Sequence, residues 1–149
     1  MTPFQPAVSL AGRILLSAIF IISGVGKIAD WSGTEAAMSA QGMSAVPFFL
    51  TLAVFIEVAG GLALLLGWHT RISALVLFLY LIPVTLTFHN FWAYSGLTRH
   101  MQTINFLKNL AIMGGLLEFC AIGAYAMSMD AARLRRGWFN WRRWGRRAL

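Results

Sequence analysis

The sequence carries little charge: of 149 residues, twelve are basic and five are acidic. Hydrophobic residues make up 58% of the chain, and the mean hydropathy is +0.69. A water-soluble domain of this length exposes far more charge than that. The composition therefore excludes a soluble domain and predicts an integral membrane protein.

Cysteine and the common catalytic motifs are also scarce. The single cysteine, Cys120, lies inside an apolar run, so the chain has neither a disulfide framework nor a dithiol pair of its own. A glycine-rich phosphate loop, a Ser/His/Asp arrangement and a CxxC pair are missing from the sequence. The three histidines flank turns, which disfavours haem ligation and leaves no metal site to assign. Any redox cofactor must therefore come from a partner.

Four apolar stretches are each close to the roughly 20 residues that cross a bilayer. They cover residues 8–28, 46–68, 72–92 and 103–127. We therefore predict an all-α fold, an integral membrane four-helix transmembrane bundle over residues 1–128. The N-terminus lacks the features of a cleaved signal peptide, so we expect the first span to be retained. Between the first two spans, Ser32 and Glu35 fit a capping box and predict a short surface helix that ends at Gly42.

A basic tail, residues 129–149, follows the last span. It interleaves arginines with Trp138, Trp141 and Trp144, which is typical of a segment lying on anionic lipid headgroups; no nucleic acid is expected as a partner. Four spans place both termini on one side of the membrane. The positive-inside rule then predicts that both termini are cytoplasmic. Seven of the twelve basic residues lie in the tail: Arg133, Arg135, Arg136, Arg142, Arg143, Arg146 and Arg147.

Ionisable side chains inside the spans are the candidates for a functional site, because an unpaired charge in lipid is costly. Lys108 lies inside the fourth span, so we expect a partner for it. With ~1.5 Å of rise per residue, four side chains fall towards the non-cytoplasmic half, and Glu57 lies near mid-depth, close enough for its carboxylate to reach them. We predict that they line one polar pocket, which could relay protons or hold the polar head of a lipid-soluble ligand such as a quinone. These residues are Lys27, Glu57, His89, Lys108 and Asn109.

A second polar pair, Arg13 with Glu118, is predicted towards the cytoplasmic half, and we interpret it as structural. Both clusters can also be read as devices that only fix the register of the helices. In the first span, residue spacings of four, three, four and three place one set of side chains on a single helical face. That face is formed by Arg13, Ser17, Phe20, Gly24 and Lys27.

The sequence resembles the DoxX family of small four-helix bacterial membrane proteins. The matching residues are Arg13 with the Phe20, Gly24 and Lys27 stripe, Glu57 before Gly60-Gly61, Gly67 with Thr70-Arg71, His89-x-Phe91-Trp92, Gln102, and Phe106-Leu107-Lys108-Asn109 before Gly114-Gly115. The resemblance implies a location in the bacterial inner membrane. It also implies a redox role, because some members are linked to quinone-reducing complexes that oxidise reduced sulfur compounds and others to thiol homeostasis.

Our leading hypothesis is a membrane subunit of a quinone-linked or thiol-linked redox system. Such a protein is at most an oxidoreductase subunit: it would have no intrinsic cofactor, would bind a quinone, and would need a soluble redox partner or further subunits. Glu57 or His89 would handle protons. The alternative is a non-enzymatic small-molecule carrier or a membrane scaffold or assembly protein. A cavity open to only one face would argue against a carrier, and a dry, fully paired interior would favour a scaffold.

Overall fold

The computed structural model describes residues 4–124 and 127–134 of the chain. Within these ranges the regular structure is helical, with a single 3-10 turn at Phe91–Ala93 and a helical segment at 129–134. The five longer helices are α1 (Gln5–Ala29), α2 (Trp31–Ala40), α3 (Val46–Leu66), α4 (Thr70–Phe88) and α5 (Gly96–Ile122).

Four of these helices, α1, α3, α4 and α5, are long and apolar enough to cross a membrane. The predicted all-α transmembrane four-helix bundle is therefore confirmed. The first three spans lie within a few residues of their predicted limits. The fourth begins earlier than residue 103, at Gly96, and ends at Ile122, where Gly123 has a φ of +80°. The predicted interfacial tail lies mostly outside the described residues, which end at 134.

The short helix α2 begins two residues earlier than the capping box predicts. Its N-cap is Asp30, whose Oδ1 accepts a hydrogen bond of 3.1 Å from the Gly33 amide. The Ser32 and Glu35 box is therefore wrong. Asp30 caps the helix instead because a carboxylate is a strong N-cap and the backbone N–H groups of the first turn face it. At the other end the chain leaves the helix after Ala40, and Gly42 has a φ of +75°.

The hydrophobic core lies in the half of the bundle that contains the chain ends. Its buried side chains come from all four spanning helices: Phe20, Leu64, Ala74, Leu77, Leu81 and Leu116. Glycines allow close packing here, since a Cβ at Gly60 would lie 2.9 Å from Leu77 and one at Gly61 2.9 Å from Ile21. Close approach of small residues is how helices associate in lipid, where the hydrophobic effect gives no drive between them.

A second apolar cluster holds α2 across the opposite end of the bundle. Met38, Val46 and Leu50 are its buried members, and Met43 and Phe88 pack against them. The four spanning helices are thus tightly packed at one end. At the other end they are covered by α2, and the space between these two levels contains the candidate site.

Candidate functional site

A buried ion pair joins α1 to α3 in the middle of the bundle. The Lys27 ammonium donates to both carboxylate oxygens of Glu57, with Nζ 2.9 Å from Oε1 and 2.8 Å from Oε2. Glu57 is only 4% exposed. The hydroxyl of Tyr80 on α4 donates to Oε1 at 2.7 Å, and Lys27 also donates to the Ser23 hydroxyl at 2.7 Å. Three helices therefore meet at one buried carboxylate, whose charge is paired with a lysine side chain that is 22% exposed.

Glycine at position 24 brings the two charged residues together. A Cβ at Gly24 would lie 2.7 Å from Val58 Cγ2 and 3.2 Å from the Glu57 Cβ, so α1 lies close against α3 at this depth. Lys27 follows three residues later, on the same face of α1 as Gly24. Its long side chain then reaches back to the carboxylate.

The ion pair lines a cavity of about 1090 Å³. Phe20 and Leu81 belong both to the core and to the cavity lining, and they form its floor. Met38 and Met43 form its roof beneath α2. The lining is mainly apolar but also includes Ser23, Asp30, Thr34, Thr87, His89 and Asn109. We call the Lys27–Glu57–Tyr80 cluster within it the polar centre.

Of the five predicted pocket residues, Lys27 and Glu57 are directly paired. His89 and Asn109 also line the cavity, but each is hydrogen-bonded to another partner. The His89 Nδ1 lies 2.9 Å from Gln102 Oε1, and the Asn109 amide nitrogen donates to the Thr85 hydroxyl at 3.0 Å. These bonds tie α4 to α5 above the polar centre.

The expectation that Lys108 faces Glu57 is wrong. Lys108 is exposed and does not line the cavity. Successive residues of a helix point about 100° apart, and Asn109 takes the inward position. Asn109 meets Thr85 three residues before α4 ends, so Lys108 lies near that end of the bundle, where a long side chain can extend to the headgroups.

The predicted pairing of Arg13 with Glu118 is also wrong. Arg13 is fully buried, with Nη1 3.0 Å from the Leu65 carbonyl oxygen and Nη2 2.7 Å from that of Met127. Glu118 is exposed on α5. Arg13 therefore joins α1 to the end of α3 and to the segment after α5. The predicted helical face is otherwise observed, because Arg13, Ser17, Phe20 and Gly24 are all buried.

The segment after α5 caps the turn between α3 and α4. The Asp130 carboxylate accepts hydrogen bonds from the backbone amides of His69 and Thr70, both at 2.9 Å, and from the Thr70 hydroxyl at 2.8 Å. The Asp130 amide donates to the Gly67 carbonyl at 2.9 Å. Arg133 lies beside the cap, with Nη1 2.9 Å from His69 Nε2. Partial burial alone would raise the pKa of Asp130, but the bonds from Thr70 and His69 outweigh it and hold that pKa below its usual value.

We expect Asp130→Asn to lower the free energy of unfolding by about 1 kcal/mol near neutral pH, because the amide keeps only one acceptor oxygen and loses the charge that strengthens these bonds. Because the folded-state pKa is depressed, the carboxylate contributes fully above the ordinary aspartate pKa of about 3.9. Its contribution is lost as the pH falls through the lower folded-state value. Unfolding in detergent, followed by tryptophan fluorescence from neutral pH to about pH 3, measures both proteins. If the difference in free energy of unfolding between wild type and Asp130→Asn stays constant over that pH range, the carboxylate does not stabilise the fold in this way.

Three of the residues that complete these clusters were missed by the sequence analysis. Tyr80 and Ser23 carry neutral hydroxyls, which are common in membrane helices and give no charge signal. Asp130 lies beyond the last span, where an acid needs no partner. Within the described part of the chain, no three His, Cys, Asp or Glu side chains come close enough to hold a metal ion.

Comparison with known proteins places these features in a wider group. The family model described as DoxX matches residues 8–90, the range that contains the polar centre and Arg13. The chain is 36% identical over 121 residues to the inner membrane protein YqjF of Escherichia coli K12, covering 81% of this chain and 88% of YqjF. It is 31% identical over 126 residues to the inner membrane protein YphA of the same strain, covering 85% of this chain and 90% of YphA.

A more distant match is to a larger eukaryotic protein. The chain is 31% identical over 77 residues to the ER-derived vesicles protein ERV29 of Saccharomyces cerevisiae, covering 52% of this chain and 25% of ERV29. Among solved structures, none matches this chain.

Proposed function

Because the chain belongs to the DoxX family of inner membrane proteins, we propose that it is the membrane subunit of a quinone-linked redox system and binds the quinone head group at its polar centre. One observation carries the proposal. A lysine–glutamate–tyrosine cluster, built around a glutamate that is 4% exposed, lines a large, mainly apolar cavity at membrane depth. Ionisable groups at such depth generally mark ligand or proton sites.

The hydrogen-bonding groups of the polar centre suit a quinone. A quinone head offers two carbonyl oxygens, which only accept hydrogen bonds, and the Lys27 ammonium has three N–H donors. The one O–H of Tyr80 is donated to Glu57, so this hydroxyl donates to a ligand when it turns away from the carboxylate. The Lys27 ammonium donates one of its hydrogen bonds to the Ser23 hydroxyl, a neutral acceptor. A ligand carbonyl can replace this acceptor without breaking the ion pair. The Glu57 carboxylate is placed to take up a proton from the quinol form of the ligand, directly or through the Tyr80 hydroxyl that donates to it.

Electrons for any turnover would come from a partner. The sequence has one cysteine and so no dithiol pair, which assigns the redox cofactor to a soluble protein or another subunit. We place both termini in the cytoplasm on the positive-inside rule, with the cavity towards the other leaflet. The arginine- and tryptophan-rich tail would then lie on anionic headgroups of the cytoplasmic face.

The other two roles fit the cavity less well. A scaffold needs a dry, filled interior, whereas this bundle encloses about 1090 Å³. A carrier needs a route to both membrane faces, whereas the core beneath Phe20 and Leu81 closes the half that contains the chain ends. A ligand-binding subunit needs neither a filled interior nor a route to both membrane faces.

The test is equilibrium binding of 2,3-dimethoxy-5-methyl-6-decyl-1,4-benzoquinone to the protein in nanodiscs, measured by titration calorimetry against empty nanodiscs. We expect Glu57→Gln to weaken binding about tenfold or more, because loss of the carboxylate frees Lys27 to turn away. Tyr80→Phe removes one donor and should cost about fivefold. Glu118→Gln and Lys108→Ala change exposed residues and are the matched controls, expected to leave affinity unchanged. Unchanged affinity in both Glu57→Gln and Tyr80→Phe would rule out this site.

A further inference from the structure

We infer that the ligand of this cavity is a long-chain amphiphile whose tail leaves the protein sideways, between α3 and α4, into the acyl chains of the bilayer. The inference rests on the proposed function, since it places the ligand head at the polar centre. It adds the route of entry and the class of ligand: a polar head that carries a hydrocarbon tail, rather than a compact water-soluble molecule.

The cavity reaches the lipid-facing surface on one side of the bundle. Phe49 and Leu52 on α3 line it, yet they are 42% and 41% exposed. On α4, Val76 and Leu79 also line it and are 42% and 54% exposed. The same cavity is lined by the nearly buried Glu57. An apolar passage between the two helices, which we call the lateral portal, therefore connects the polar centre to the hydrocarbon region.

Side chains close the floor of the cavity but not its α2 end. Phe20 and Leu81 form the floor and pack into the core. At the roof Met38 is only 6% exposed, but Asp30 and Gly33 also line the cavity there and are exposed. The cavity therefore opens beside α2 as well as at the lateral portal, and a molecule dissolved in the bilayer meets the lateral portal directly.

The size and chemistry of the cavity fit an amphiphile. Ligand pockets are typically about 300–1,000 Å³, and this one is slightly larger at about 1090 Å³. The polar centre can hold one head group. The apolar remainder, which ends at exposed Leu79 and Leu52, offers hydrocarbon contacts that only a tail can use.

The experiment compares two probes that share one head group: 2,3-dimethoxy-5-methyl-1,4-benzoquinone with and without the decyl chain at C6. Binding to the full-length protein in nanodiscs is measured for wild type and for Leu79→Trp, which fills the lateral portal. Leu86→Trp is the matched control, because Leu86 is 50% exposed on the same helix but does not line the cavity. The ratio of variant to wild-type affinity is compared for each probe, so that partition into the lipid cancels.

We expect Leu79→Trp to weaken the decyl quinone about tenfold, because the tail loses its space, and to change the tailless quinone less than about twofold. Leu86→Trp should change neither. Equal affinity ratios for the two probes in Leu79→Trp would overturn the lateral portal. If Glu57→Gln still weakens both probes, the quinone site stands without the portal. If Glu57→Gln weakens neither, the site itself fails and the portal with it.

Discussion

Replacing Lys27 with methionine is expected to lower the free energy of unfolding by about 3 kcal/mol or more near neutral pH. The substitution keeps the length of the side chain and removes its charge, so the Glu57 carboxylate, 4% exposed, is left with the Tyr80 hydroxyl as its hydrogen-bond donor. A buried charge without its counter-charge is costly because the surrounding protein and lipid cannot solvate it as water does. Reversible unfolding in mixed detergent micelles, followed by tryptophan fluorescence, measures the loss.

The reverse substitution and the double variant separate this cost from packing. Glu57→Leu leaves Lys27, which lies two residues before the end of α1 and can turn towards the headgroups, so we expect a loss of about 1–2 kcal/mol. Lys27→Met with Glu57→Leu should come within about 1 kcal/mol of wild type, because apolar replacement of both partners removes the unpaired charge. A double variant that is less stable than Lys27→Met alone would contradict the buried pair.

Arg13→Met is the second substitution for which we expect a large effect. Arg13 is fully buried and donates to two backbone carbonyls, at 3.0 Å to Leu65 and 2.7 Å to Met127. A hydrogen bond from a charged group contributes about 1.5–3 kcal/mol, so losing both should cost about 3 kcal/mol or more. Loss of the Met127 contact should also release the segment 127–134 from the α3–α4 turn.

Arg71→Met provides the matched control for Arg13→Met. Arg71 is exposed and makes one longer hydrogen bond, 3.3 Å, to the Ile122 carbonyl. We expect a change of about 0.5 kcal/mol or less, as for most surface substitutions. Hydrogen exchange of residues 127–134 gives a second measurement, with faster exchange expected in Arg13→Met and wild-type exchange in Arg71→Met. Equal losses of stability in the two variants would show that Arg13 does not anchor this segment.

Much of the architecture could be predicted because lipid imposes simple rules on sequence. Runs of about 20 apolar residues located the four spans, and the spacing of Arg13, Ser17, Phe20 and Gly24 identified the buried face of α1. The cost of unpaired charge in lipid placed Lys27 and Glu57 in one cluster, although Lys108 was the partner expected for Glu57. Each of these inferences depends on one helix, or on two charges that have few possible partners.

The errors arose where the answer depended on rotation or on backbone partners. Lys108 and Asn109 are adjacent and both polar, and a prediction by depth alone cannot decide which of them faces inward. Arg13 binds carbonyl oxygens, which every residue offers, so no acidic partner marked the site in advance. Asp130 caps a helix that begins sixty residues earlier in the chain, at Thr70, and no local pattern signals such a contact.

The central claim is that the polar centre of Lys27, Glu57 and Tyr80 holds a ligand head group rather than only fixing three helices. Photolabelling with an azido-substituted benzoquinone tests it most directly, with labelled peptides identified by mass spectrometry. We predict label on α1 near Ser23 and Lys27 and on α4 near Tyr80, and loss of that label when the unlabelled decyl quinone competes or when Glu57 is replaced by glutamine. Label confined to the exposed face of α5 near Lys108, or label at the polar centre that no competitor displaces, would contradict the claim.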